Sequence, residues 1–530
     1  VTHFFQAIKK YHLAILSGLL IALSYPPFPA WAVFFCLAPL WFLTTRLENL
    51  KSLFWAGWWT QFSVSMVGFH WVAITAHDFG FLPWIVAIPV LFIFASFAHL
   101  HIPAALVLVR LFQRGNPWPV HFQFLALALT TGLLERIWPM IFPWHSAYSL
   151  LHSRLPMFQL AELVGFSGLS TLLMLTSAGF AWGLSQWSQS KKKSYKIAVS
   201  VLVVILGLNL WGFFIKPIDK RFDKYLKVLI VQANIGQFEK VLAEKNLKSN
   251  QNEIQQAVMD KYFQLTDEAV QKFPEAEVII WPETALADYL DPEYLSRPRQ
   301  QQLQYKILSW QKALITGSYS RQYGTNRTYN GMFFFDFRGQ PSDSGFRKNQ
   351  LLAFGERLPF GDTFPWLYDW LPFVSSFSAG PGPEVKKLQT LNQEFIVSPQ
   401  ICYESLHPWF ARKSVLMGAD IIVNVTNDSW FGEHFEPYQH ASMTWARAIE
   451  NRRPLVRSTN TGQSSVIAHT GRILITSPIN QEWSGLANVP IPDRKVTVYM
   501  RYGHLDWILI LVILLGLIGG LNAYGRKTKH

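Results

Sequence analysis

The chain has two cysteines, and Cys402 sits where a thiol can act as a nucleophile. It closes the apolar run Phe395-Ile396-Val397-Ser398-Pro399-Gln400-Ile401-Cys402, and a helical stretch from Glu404 to Lys413 follows. A strand end feeding a helix can expose a nucleophile with backbone N–H groups beside it. Cys36 lies in an apolar stretch of membrane-spanning length, which leaves Cys402 without an evident disulfide partner. Such a free thiol is either buried and inert or a working nucleophile. Two further segments place a charge at a strand end in the same manner: Val278-Ile279-Ile280-Trp281-Pro282-Glu283-Thr284 and Phe346-Arg347-Lys348-Asn349. A carboxylate, an ammonium and a thiol can therefore converge on one sheet edge, and acyl transfer needs those three types. A thiol with a pKa of about 8.5 is mostly protonated at neutral pH, so a carboxylate such as Glu283 must take its proton. The attacked carbonyl oxygen becomes anionic, and a fixed donor there contributes about 3 to 4 kcal/mol, a role that suits Lys348. By spacing alone, Glu and Lys at strand ends are more often solvated surface residues than catalytic ones.

The blocks around these residues carry a resemblance. Trp281-Pro282-Glu283-Thr284-Ala285, then Arg347-Lys348 followed by Phe354-Gly355-Glu356, then Ile401-Cys402-Tyr403-Glu404, resemble the three catalytic blocks of the carbon-nitrogen hydrolase (nitrilase) superfamily. Set between seven apolar helices and one, they resemble the bacterial apolipoprotein N-acyltransferase family. Further matching segments are Ser24-Tyr25-Pro26-Pro27-Phe28, Phe142-Pro143-Trp144, Asn427-Asp428-Ser429-Trp430-Phe431-Gly432, Gln439-His440, Arg447-Ala448, and Arg457 through Asn460-Thr461-Gly462 to Ser464. The resemblance implies a four-layer αββα nitrilase-like sandwich and a ping-pong reaction. Glu283 would deprotonate Cys402, which takes the sn-1 acyl chain of a phospholipid as a thioester. The α-amine of a diacylglyceryl-cysteine at a lipoprotein N-terminus would then accept it, and Lys348 would stabilise the oxyanions. The resemblance also implies supporting roles for Glu356, Tyr403 and Glu404. There is one departure: many members carry a tryptophan in the loop after the first strand, and the run Gln237 to Val241 has none.

These residues must be positioned by a chain of two textures. Only 15% of its 530 residues are charged, against roughly 25% in soluble proteins. Of the 34 acids, four (Glu48, Asp78, Glu135 and Glu162) fall within residues 1–216. Stretches long enough to span a bilayer, about 20 apolar residues, recur there. Tyr11 to Thr45, broken at Pro26, Pro27 and Pro29, gives two; Ser52 to His77, Phe79 to Val109, Gly115 to Leu134, Leu163 to Ser190 and Ile197 to Ile215 bring the number to seven. Trp507 to Gly525 is the eighth. Lys9 and Lys10 before an apolar stretch also suggest a signal peptide, but no small-residue cleavage site follows, so the first helix is expected to remain. The expected organisation is 1–216 for helices one to seven, 217–505 for a catalytic domain and 506–530 for the last helix and tail. Alternate connections carry Lys9, Lys10, Arg46, Lys51, Arg110, Arg114, Lys191, Lys192, Lys193, Lys196, Arg526, Lys527 and Lys529. The bias of Lys and Arg to cytoplasmic loops then puts both termini inside, with the catalytic domain in the periplasm of a bacterial inner membrane. The net charge of +13 reads as this bias and not as a nucleic-acid surface. In the insert, runs such as Val228 to Gln232, Val278 to Trp281, Leu314 to Tyr319, Met332 to Phe337, Phe395 to Cys402 and Ile421 to Thr426 read as buried strands. Asn252 to Lys272 and Pro437 to Asn451 read as helices, which together imply an α/β or layered sandwich domain.

Other candidates have plainer readings beside functional ones. Phe142 and Trp144 could touch lipid in an interfacial belt or simply anchor. His70, His99 and His101 fall within spans, where ionisable groups are often functional, but a neutral histidine can also bond locally. Glu135 and Arg136 could meet a phospholipid headgroup or form structural ion pairs. With no His-Glu-x-x-His run, Cys-x-x-Cys pair or Walker-type loop, no metal or nucleotide cofactor is expected. The expected partners are a phospholipid donor, a diacylglyceryl apolipoprotein acceptor and membrane lipids, with the chain acting as a monomer. Two alternatives stay open: a membrane-tethered amidase acting on small C–N substrates, and a transporter or receptor whose outer domain only binds.

Overall fold

The computed structural model describes residues 2–113, 118–217, 222–236, 251–295, 297–342, 344–370 and 374–527. The run 237–241, Arg114, Lys529 and the side chains of Arg526 and Lys527 lie outside the described residues. The chain forms two compact units, Val1–Lys216 with Arg501–His530, and Pro217–Met500.

Among the described residues of the first unit, four helices are long and apolar enough to cross a membrane: Trp84–Phe112, Pro156–Gln186, Lys191–Ile215 and Asp506–Ala523. The other expected stretches are divided differently. Proline cannot continue a helix interior, and past Pro26, Pro27 and Pro29 only Ala38–Thr44 is helical. Ser52 to His77 splits into parts of Leu50–Gly68 and Trp71–Asp78. Val120–Ile137 has 18 residues. These shorter helices carry buried polar groups. Gln61 bridges a break near residue 98, donating to the Ser96 carbonyl (2.6 Å) and accepting from the His99 N–H (2.8 Å). By contrast, Lys191–Ile215 exposes Leu202, Val203, Leu206, Phe213 and Phe214, a face suited to lipid and not to water.

The charged candidates of this unit find separate partners. Glu135 accepts from His145 Nδ1 (3.0 Å) and Ser146 Oγ (3.3 Å), while Arg136 pairs with Asp506 (3.4 Å). His70 Nδ1 lies 2.9 Å from the Val67 carbonyl, a local bond. His99 and His101 are buried. Trp144 departs from the expected exposed belt. It is 5% exposed and packs against Tyr25, His99 and Phe69, at ring distances of 4.7, 5.0 and 5.9 Å. A large indole buries more area inside a helix bundle than at its rim. Phe142 is half-buried, edge-on to Trp71 at 5.2 Å.

The second unit holds thirteen strands: β1 (Tyr225–Gln232), β2 (Val278–Ile280), β3 (Leu286–Tyr289), β4 (Ala313–Arg321), β5 (Thr328–Phe335), β6 (Phe346–Arg347), β7 (Lys386–Gln389), β8 (Glu394–Ile401), β9 (Ile421–Thr426), β10 (Leu455–Thr459), β11 (Ser465–Ile467), β12 (Ile473–Thr476) and β13 (Trp483–Pro490). They form a seven-stranded sheet ordered β13-β1-β2-β4-β5-β6, with β3 on β4, and a six-stranded sheet ordered β12-β11-β10-β9-β8-β7. The central pairs β1–β2, β2–β4, β8–β9 and β9–β10 are parallel. Parallel neighbours require crossovers, and the helices Gln251–Lys272, Pro298–Trp310, Pro408–Leu416 and Glu436–Asn451 lie in those connections. One core is shared by the two sheets: Val228, Ile230, Ile280 and Ile315 from one meet Val397, Val423 and Val456 from the other. Leu229, Val231 and Ile279 point the opposite way, onto Met259, Tyr262 and Ile307 of the helices. Strands buried on both faces read as unbroken apolar runs, which is why these were visible in the sequence.

Candidate active site

Functional groups on α/β sheets collect beyond the carboxyl ends of parallel strands. Glu283 follows β2, and Cys402 follows β8. Lys348 follows β6, which pairs antiparallel with β5. The Glu283 turn is tightly held. Trp281 donates its backbone N–H to Ile315 (2.9 Å) and its indole N–H to Thr266 (3.0 Å), and Gly317 donates to the Pro282 carbonyl (3.1 Å). A Cβ at Gly317 would lie 2.6 Å from Glu283 Cα, so only glycine permits this approach. Lys348 is pinned on both sides, its N–H donating to Asn330 and its carbonyl accepting from Gly380.

Three buried charged side chains meet there. Lys348 Nζ lies 2.8 Å from Glu356 Oε2 and 3.3 Å from Glu283 Oε1. The amide of Asn330 donates to both carboxylates, at 2.7 Å to Glu283 and 2.9 Å to Glu356, and the Leu352 N–H donates to Glu356 (2.9 Å). Their side chains are at most 8% exposed. Burial of ions is tolerable only with such full pairing.

Cys402 has a backbone φ of 50°, a left-handed conformation uncommon for a residue with a side chain and frequent at functional turns. It opens the 3₁₀ turn Cys402–Leu406. Pro408 then starts the helix Pro408–Leu416, so the expected continuous helix from Glu404 to Lys413 is divided. Glu404 faces inward and accepts from the N–H groups of Ile401 (2.8 Å), Asn349 (2.7 Å) and Gln350 (3.2 Å). It thereby ties the cysteine turn to the lysine segment. Burial pushes its carboxyl up to about 8 against these three donors. Tyr403 packs edge-on against His407 at 4.9 Å.

Electrostatics joins the thiol to the charged cluster. Burial, and after it the Glu283 carboxylate, pushes the Cys402 thiol well above its ordinary range, with Lys348 pulling the other way and Glu356 adding to the rise. Burial also raises Glu283, with Lys348 opposing. On Lys348, burial favours the neutral amine, but Glu283 and Glu356 outweigh it and hold the ammonium well above its usual value. The arrangement thus contains a protonated thiol, a carboxylate made more basic by burial, and a cation paired with that carboxylate.

Glu283, Lys348, Cys402, Glu356, Tyr403 and Glu404 are accordingly grouped in this one unit, whereas Phe142 and Trp144 belong to the helical unit. Asn330 was not anticipated. Its signal was a polar residue inside the otherwise apolar run Tyr329-Asn330-Gly331-Met332-Phe333-Phe334, since a buried amide must find partners.

Residues 227–496 match the family model described as carbon-nitrogen hydrolase, and residues 17–179 match the one described as apolipoprotein N-acyltransferase N-terminal domain. An apolipoprotein N-acyltransferase from Bdellovibrio bacteriovorus is 43% identical over 97% of this chain and 95% of its own length. One from Geobacter metallireducens is 30% identical over 99% of this chain and 98% of its own. Among solved structures, the carbon-nitrogen hydrolase from Helicobacter pylori G27 is 14% identical, covering 54% of this chain and 92% of that one with a TM-score of 0.36. With 43% identity over nearly its full length and both domain matches in order, the chain belongs to the apolipoprotein N-acyltransferase family.

Proposed function

We propose that the protein transfers the sn-1 acyl chain of a phospholipid, through a thioester on Cys402, to the α-amine of a diacylglyceryl-cysteine at a lipoprotein N-terminus. The observation that carries this reading is the buried Glu283–Lys348–Glu356 cluster acting electrostatically on a cysteine in a left-handed turn, in a chain of this family. In the first half-reaction Glu283 takes the thiol proton as Cys402 Sγ attacks the ester carbonyl carbon. The oxyanion forms beside Lys348. As it collapses, the bond to the glycerol oxygen breaks and Glu283-H returns the proton to that oxygen, releasing a lysophospholipid. In the second, the amine nitrogen attacks the thioester, the C–S bond breaks, and the amine proton passes by Glu283 to the sulfur. An ester and an amine become an alcohol and an amide, with no redox step.

Glu356 and Asn330 hold the Lys348–Glu283 pair in orientation, while Glu404 fixes the turn and Tyr403 lies at its rim. The two face-to-face sheets and their flanking helices support a four-layer αββα sandwich. The thirteen clustered Lys and Arg positions support eight spans in 1–216 and 506–530, cytoplasmic termini and a periplasmic 217–505 domain in the inner membrane. We take the working form to be a monomer that needs no cofactor.

Two experiments test the reading. Full-length protein loaded with phospholipid and then freed of lipid should pass its acyl group to a diacylglyceryl-cysteinyl peptide with a free amine, and not to its N-acetylated form. Hydrolysis of a small amide without any lipid acylation would favour the amidase alternative. Glu283→Gln is expected to slow acyl-enzyme formation by about 10²–10⁴. The same change should make the thiol more acidic, because the Glu283 carboxylate raises it. Iodoacetamide labelling of Cys402 across pH reads this directly, and an inflection that failed to move down would show that the two groups do not face each other.

A further inference from the structure

Beneath the Cys402 turn lies a second buried polar cluster, distinct from the Glu283–Lys348 group. It is built by alternate residues of β9 and its extension (Asn424, Thr426 and Asp428), by Arg457 of β10, and by His440 and Thr444 of the helix Glu436–Asn451. All are buried. Arg457 is its centre: its guanidinium donates to Asp428 Oδ2 (2.6 Å), Asn424 Oδ1 (2.9 Å) and Thr444 Oγ1 (3.3 Å). His440 Nδ1 lies 3.0 Å from the other Asp428 oxygen. Gly462 leaves room for this aspartate, since a Cβ there would come within 2.7 Å of its Cγ.

The cluster reaches the nucleophile at two points. The Cys402 carbonyl accepts from Ser405 Oγ (2.9 Å), itself 2.8 Å from Thr444 Oγ1, and from Asn424 Nδ2 (3.4 Å). Parallel register places Ile401 opposite Val425, which brings the next residue, Thr426, abreast of Cys402. The Thr426 hydroxyl lies 3.4 Å from Asp428 Oδ1 and hydrogen-bonds the Cys402 side chain.

Asp428, Glu436 and His440 also bring ligand atoms within 4.8 Å of one another. The donor set argues against a cation there. His440 Nδ1 faces both carboxylates, at 3.0 and 3.5 Å, and so carries its proton, while Arg457 already supplies the positive charge. Burial opposes ionisation of Asp428, but Arg457 and His440 hold its carboxyl well below the ordinary range. Burial and then Asp428 push Glu436 well up, so the cluster is close to neutral.

We propose that the Arg457–Asp428 cluster is the positioning device of the nucleophile: through Asn424, Thr444 and Ser405 it locks the Cys402 carbonyl, and it keeps beside the sulfur the Thr426 hydroxyl, whose one proton turns from Asp428 Oδ1 to the sulfur as the sulfur becomes anionic. The strained backbone of Cys402 persists because its carbonyl is fixed by Ser405 within the turn and by Asn424 outside it. Glu283, Lys348 and Glu356 act on the sulfur through their charges, and Thr426 is its neutral hydrogen-bond partner. The inference rests on Cys402 being the nucleophile.

The test is alkylation of Cys402 by iodoacetamide in full-length protein, read by peptide mass across pH, with melting temperature as the check on folding. Thr426→Val keeps the shape and removes the hydroxyl. It should raise the inflection by about one unit, a roughly tenfold slower reaction below it. Thr426→Ser should restore the wild-type profile, which a merely structural role would not predict. Ser405→Ala removes the 2.9 Å donor to the carbonyl and its link to Thr444, and should slow acyl-enzyme formation about tenfold through misplacement of the sulfur. A Thr426→Val inflection coincident with wild type would overturn the inference, as would an unchanged acylation rate in Ser405→Ala. Alkylation requires no lipid, so failure here is distinguishable from failure of the acyl-transfer reading, in which wild type itself would take no acyl group.

Discussion

Cys402→Ser is expected to form no measurable acyl-enzyme, with acyl transfer reduced by at least about 10⁴. The two side chains differ by one atom, and the surroundings explain why that atom decides the outcome. Glu283 is raised by burial yet restrained by Lys348, which suits it to a thiol proton but not to that of an alcohol, several orders of magnitude less acidic. The smaller oxygen would also sit farther from the acyl carbon while the backbone remained fixed by Ser405 and Asn424. Folding should survive, because Cys402 contributes little apolar area. Electrospray mass measurement after incubation with phospholipid checks the loss, and melting temperature checks the fold.

Lys348→Met carries the second large effect, on rate and on stability together. Removing the oxyanion's cation should lower acyl-enzyme formation by about 10²–10³. The same substitution leaves Glu283 and Glu356 buried with only Asn330 between them. Breaking a buried ion pair by deleting one partner costs about 3–5 kcal/mol. That penalty should shrink at low pH. Glu283, raised by burial, can then take up a proton, and a neutral acid needs no counter-charge. Thermal melts of wild type and variant at neutral and acidic pH read this convergence; a difference independent of pH would mean that Lys348 does not neutralise those carboxylates.

The parts of this arrangement legible in the sequence are those with strong local signals. β1, β2, β4, β8 and β9 are largely buried on both faces, and their apolar segments appear as runs. Gln251–Lys272 and Glu436–Asn451 begin within one residue of the helices expected there. β6 has only two residues and β3 four, too short for a periodic pattern, and their pairing is set by the neighbours they meet. The division of the Glu404 to Lys413 stretch was written in Pro408, which starts a new helix and ends the turn before it. The charged groups of the site could be named, but not the amide of Asn330 between the carboxylates or the Arg457 cluster below the turn. Those contacts join residues up to 47 positions apart in sequence, and only the folded sheets bring them together. In the helical unit, apolar length alone anticipated more spans than the four helices that are long and apolar enough. The buried Gln61, inside the Ser52 to His77 stretch, shows that polar packing shares such stretches.

The most direct measurement is the mass of the wild-type protein after exposure to phospholipid alone, followed by localisation of any adduct by peptide mapping. A thioester on Cys402 heavier by one fatty acyl group, labile to hydroxylamine and passed on when the acceptor peptide is added, is the predicted result. An acyl group carried elsewhere, or transfer that continues in Cys402→Ala, would contradict it.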